Sequence, residues 1–110
     1  MVKHIVMWTL KDEAGGKSKS ENVQEVKHCL EALSDQISTI RFLEVGVNIN
    51  DGPNAFDLVL YSEFDDREDL AVYQDHPAHI RARDFIRTVR DMMHVVDFEV
   101  DNSKHRDHRD

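Results

Sequence analysis

Asn50-Asp51-Gly52-Pro53-Asn54 is the stretch on which the reading of this chain turns. Five turn-forming residues in a row separate two extended segments, Ile40 to Ile49 and Phe56 to Phe64, and so predict a hairpin. Outward toward the N-terminus, Val2 to Leu10 is rich in β-branched and aromatic residues, with Val2, Val6, Trp8 and Leu10 on one face and Ile5 and Met7 on the other. Apolar side chains in both phases mark a central strand. Gly15 and Gly16 break it off. Ser18 and Glu21 then have the spacing of a capping box ahead of an apolar stripe, Val23, Val26, Leu30 and Leu33, which predicts a helix ending near Ser34. Outward toward the C-terminus, Asp65 or Asp66 can cap a short helix carrying Leu70 and Tyr73. Pro77 suits the first position of a second helix, with Ile80, Phe85, Ile86 and Val89 on its apolar side and Met92 and Met93 closing it as core filler. His94 to Val100 reads as the last strand.

The resulting order, βαββαβ, predicts an α+β ferredoxin-like sandwich over residues 1–100, a four-stranded sheet with helices on one face. Leu58 and Leu60 are opposed by Val59 and Tyr61, so the uncovered face is also apolar. That predicts a homodimer in which two sheet faces pack into a dimeric α/β barrel. Residues 101–110 mix both charge signs without an apolar residue and read as a charged, solvated tail.

The 110 residues fall within one domain, with 14 Lys and Arg against 22 Asp and Glu, a net charge of −8. Acidity of that order disfavours nucleic-acid binding, and Arg81, Arg83, Arg87 and Arg90, interleaved with Asp84 and Asp91, read as a solvated helix face. The lone Cys29 forms no internal disulfide and fits a reducing, cytoplasmic setting. No apolar run approaches the ~20 residues of a membrane span. Gly15-Gly16 lacks the Lys-Ser/Thr of a phosphate loop, and no serine has the flanking glycines of a nucleophile elbow, so no cofactor is expected.

Several motifs resemble the stress-responsive dimeric A/B barrel (Dabb) family: Val2-Lys3-His4-Ile5-Val6, Leu43-Glu44-Val45-Gly46, the strand from Phe56-Asp57-Leu58 to Ser62-Glu63-Phe64-Asp65, Tyr73-Gln74-Asp75-His76-Pro77-Ala78-His79, and Val95-Val96-Asp97-Phe98. The resemblance implies the dimeric barrel fold. Its plant polyketide cyclases, of the olivetolic acid type, perform a cofactor-free aldol cyclisation with histidine and tyrosine. Carried over, the pattern places His4, Tyr73 and His79 in a pocket, with Leu58 where those cyclases have a further histidine.

On this reading His79 and Tyr73 are the candidate catalytic residues, and His4 and His76 the candidate substrate-binding ones. His79 falls about two residues into the helix that Pro77 begins, where free N–H groups and the positive helix end disfavour imidazolium and leave a neutral base. Tyr73 can donate its phenolic proton to a developing enolate oxygen. The competing reading is that His76 and His79 bond local backbone and organise the helix break. His76 and His79 are three apart and His4 could join them at a metal. With Pro77 between them and no accompanying Glu, no metal is predicted. Trp8 and Tyr61 either line a pocket or fill the dimer interface, packing being the expected role. Three functions stay open: a stress-responsive barrel with a pocket for a small hydrophobic or carbonyl-rich ligand, a cofactor-independent cyclase or lyase, and a purely structural protein.

Overall fold

The computed structural model describes residues 1–101, so the expected tail lies, beyond Asp101, outside the described residues. The elements are β1 (Val2–Leu10), a small hairpin of β2 (Glu13–Ala14) and β3 (Lys17–Ser18), α1 (Lys19–Glu31) continued by a 3-10 turn (Ala32–Asp35), β4 (Phe42–Val47), β5 (Leu58–Phe64), α2 (Arg67–Asp75), α3 (Pro77–Val89) and β6 (Arg90–Glu99). The four long strands form one antiparallel sheet in the order β4-β5-β1-β6. With β1 in the middle and two helical crossovers, this is the ferredoxin-like α+β arrangement.

Local chemistry explains the elements. Gly15 and Gly16 have φ of 62° and 77°, left-handed values that suit glycine and close the two-residue turn between β2 and β3. What reads as a strand breaker is therefore also a hairpin turn. The capping box forms in full: Glu21 N–H donates to Ser18 Oγ at 3.2 Å, and Ser18 N–H donates to Glu21 Oε1 at 3.0 Å. Val23, Val26 and Leu30 then face the sheet as a buried stripe, with Leu33 behind them in the 3-10 turn. They pack with Leu58, Leu60, Phe64 and Ile86 in one core, where a fully buried Phe64 side chain contributes about 2–3 kcal/mol.

In the antiparallel pairs, residues in register share a face. Val2, His4, Val6, Trp8 and Leu10 look toward the helices, together with Leu58, Leu60, Ser62 and Phe64. Ile5 and Met7 share the open face with Val59 and Tyr61 of β5, Phe42 of β4, and Val96 and Phe98 of β6. Phe42, Met7, Val96 and Phe98 are exposed there.

Two expectations need correction. The last strand starts at Arg90, directly after Val89, and not at His94. Met92 and Met93 consequently lie in β6 and are exposed; they neither close α3 nor fill the core. The cause lies where β1 meets β6. The register shifts between Trp8 and Leu10, Met92 N–H donates to Thr9 Oγ1 at 2.9 Å, and Lys11 N–H donates to the Val89 carbonyl at 2.9 Å, so pairing begins as soon as the helix ends. At the other end of the same ladder, Met1 and Val100 exchange backbone hydrogen bonds, the Val100 N–H reaching the Met1 carbonyl at 2.9 Å. Among the described residues no helix is long and apolar enough to cross a membrane.

Candidate functional site

The helix layer stops short of β6. Between α3 and that edge strand lies a cavity of about 180 Å³, bounded by His4, Val6 and Trp8 of β1, Tyr73 of α2, His79, Ala82 and Ile86 of α3, and Met93 and Val95 of β6. The structure thus brings together His4, Tyr73 and His79. It leaves His76 out of the lining. Leu60, not Leu58, is the β5 residue on the cavity wall.

The break between α2 and α3 positions Tyr73 and His79. His76 is the N-cap of α3, its Nδ1 accepting from the Ala78 N–H at 3.0 Å, and Pro77 occupies the first helical turn. His76 thereby does the helix-breaking work that the structural reading assigned to both histidines. His79, the third residue of α3, also contacts local backbone, with Nδ1 3.0 Å from the Gln74 carbonyl oxygen. A carbonyl oxygen only accepts, so Nδ1 carries the hydrogen and the neutral ring keeps its lone pair on Nε2. The rings of Tyr73 and His79 lie 4.6 Å apart, and those of His4 and Tyr73 lie 5.9 Å apart edge to face.

The electrostatics differ from the helix-end argument. Burial holds the His79 imidazole below its usual 6.5; His4 and Arg83 push in the same direction, while the Gln74 carbonyl opposes them. Burial also pushes the Tyr73 phenol well above its usual value, which keeps it a neutral donor. Tyr73 is 0% exposed, and its hydroxyl has no hydrogen-bond partner among the described residues. The same is true of the indole Nε1 of Trp8, 4% exposed on the cavity wall. His4, buried opposite, donates from Nδ1 to Asp97 Oδ1 at 2.5 Å, which orients its ring from β6.

Trp8 is therefore a cavity residue, while Tyr61 stands on the open sheet face, bonded to Glu63 and beneath the Lys3 ammonium. Arg83, Arg87 and Arg90 also line the cavity, although their sequence pattern reads as a solvated face. Arg83 and Arg87, one and two turns after His79 on α3, carried that signal in their spacing; Arg90, the first residue of β6, did not. Among the described residues no group of three or more His, Cys, Asp or Glu is placed to hold a metal ion.

The family described as Stress responsive A/B Barrel Domain (Dabb) matches residues 2–100. An uncharacterised protein of Streptomyces coelicolor, SCO4036, is 37% identical over 79 residues, 72% of this chain and 79% of that protein. A crystal structure from Bacteroides fragilis, described as a dimeric protein of unknown function with a ferredoxin-like fold, is 37% identical with a TM-score of 0.80, covering 90% of this chain and 95% of that one. The hydroxynitrile lyase of Passiflora edulis shares the fold at 14% identity, with a TM-score of 0.75 over 92% of this chain and 94% of its own.

Proposed function

The chain belongs to the stress-responsive A/B barrel (Dabb) family, and from that premise we propose that it acts as a homodimer closed through its open sheet faces, each protomer holding a small carbonyl compound beside His79 for proton transfer. The observation that carries the chemistry is the Tyr73 hydroxyl, buried without a partner among the described residues in a cavity where His79 has Nε2 unbonded. A substrate carbonyl oxygen supplies the acceptor that the hydroxyl lacks.

His79 Nε2 takes a proton from the carbon next to that carbonyl. The C–H electron pair moves into a C=C bond, and the oxygen becomes an enolate held by Tyr73 O–H. If a second carbonyl of the same molecule is in reach, the enolate carbon attacks it, a C–C bond forms, and the His79 proton passes to the new alkoxide. His4, whose Nδ1–H is held by Asp97, leaves Nε2 to accept from a hydroxyl of the ligand. The apolar wall of Val6, Leu30, Leu60, Ile86 and Val95 suits a ligand that is mostly hydrocarbon.

Support for the dimer comes from the apolar open face and from the 37% identical relative described as dimeric. The Passiflora lyase shares only the fold.

The chemistry is tested by NMR, following hydrogen–deuterium exchange at the carbons flanking the carbonyl of octan-2-one in D2O. The protein should accelerate the exchange, and His79→Gln or Tyr73→Phe should each lower the rate by about 100-fold. Exchange no faster than in buffer, or unchanged in His79→Gln, removes the reaction.

A further inference from the structure

Arg83 and Arg87 lie one turn apart on α3, Arg90 opens β6 directly after that helix, and all three line the cavity. Their neutralisation is incomplete. One carboxylate, Asp84, lies 3.3 Å from Arg83 and 3.9 Å from Arg87, and the Arg90 guanidinium has no ion pair among the described residues. Among the described residues no Asp or Glu lines the cavity. In a chain of net charge −8, that leaves a local excess of positive charge at the mouth of an apolar space. Inside the same space, Trp8 Nε1 and Tyr73 Oη are two donors without acceptors among the described residues, each on a side chain more than nine-tenths buried.

These observations describe a ligand from both ends. Its inner part carries hydrogen-bond acceptors on an apolar body, and its outer end carries negative charge. We infer that the ligand is an amphipathic organic acid whose carboxylate or phosphate sits between Arg83, Arg87 and Arg90 while its carbonyl-bearing chain enters the cavity. This rests on the pocket reading above and adds the substrate class to it. Guanidinium groups suit such an oxyanion because their planar N–H pairs match two of its oxygens at once. The arginine stems cover apolar wall while their heads reach the mouth.

The test is isothermal titration calorimetry of the full chain at low salt with three probes that share one eight-carbon chain: octanoate, octyl phosphate and octan-2-one. At least one anion should bind tenfold or more tightly than the ketone, by about 1.4 kcal/mol, and the ratio between the two anions tells carboxylate from phosphate. In the triple variant Arg83→Gln, Arg87→Gln, Arg90→Gln the ratio of anion to ketone affinity should fall to about one, whatever the loss of the arginine stems does to ketone affinity itself. The side chains of Arg83 and Arg87 are about half exposed, so the variant is expected to fold, as circular dichroism would verify. If octan-2-one binds but neither anion binds more tightly, or if the anion advantage survives in the triple variant, the inference is overturned and the pocket stands. If none of the three probes binds, the pocket reading falls and the inference with it.

Discussion

Val6 of β1 and Val95 of β6 stand directly opposite one another on the same face of the sheet, yet Val6 is 5% exposed and Val95 49%. The difference arises because the helices cover β1 and leave β6 uncovered. The cavity is the space under that step, so its outer wall is a residue with room to grow. Val95→Trp should fill it at little cost in stability, since the added ring enters open space and does not overpack a core. Octan-2-one binding should fall at least tenfold in calorimetry while the thermal midpoint changes little. Unaltered binding would place the ligand elsewhere.

His79 also makes stability depend on pH in a definite direction. Burial holds its folded-state pKa below the ordinary 6.5, so between those two values the unfolded chain binds the proton more readily than the folded one. The stabilisation is present in full above pH 6.5 and is lost as pH falls toward the folded value. Thermal melts of the wild type and His79→Gln at pH 7.5 and pH 5 should show the wild type losing more between the two. Parallel losses would mean that His79 does not titrate in this way.

His76 should behave oppositely, as a residue of structure. Its ring caps α3 through the Ala78 N–H and lies outside the cavity lining. His76→Ala should cost about 1 kcal/mol in urea denaturation, His76→Asn should recover most of it by supplying another capping acceptor, and ligand affinity should stay unchanged in both. A loss of affinity without loss of stability would return His76 to the binding site.

The open sheet face offers a separate test. Val96 is exposed in the protomer and sits beside Ile5 on that face. An Asp there costs the protomer little but places a charge in an apolar interface with no partner. Val96→Asp should halve the mass seen by sedimentation equilibrium while circular dichroism stays the same. A variant that remains dimeric would put the interface elsewhere.

Much of the fold was legible because it rests on local chemistry. The alternation in Val2–Leu10, the Ser18–Glu21 box and Pro77 each specify an element through neighbours in sequence, and the structure repeats them. The start of β6 was not legible. Arg90 to Met93 continue a helical pattern well enough, and what ends the helix is pairing with β1, including the Thr9 hydroxyl on the Met92 N–H, eighty-three residues away. The site divides in the same manner. Tyr73 and His79 are close in sequence and meet across a short helix break. Trp8, Arg90 and Val95 come together only through the sheet order, which no local pattern records.

The backbone exchange between Met1 and Val100 gives the fold the topology of a closed ring. The first and last strands of the sheet, β1 and β6, are neighbours, so the order in which the ring is read is a matter of where it is cut. A circular permutant, with residues 1 and 100 joined by a short Gly-Ser linker and new ends opened in the 50–54 turn, keeps every strand pairing of the sheet. It changes only the link between β4 and β5, from the loop of residues 48–57 to an encounter of separate ends. Its folding rate would then report how far the β4–β5 hairpin leads the assembly of the sheet.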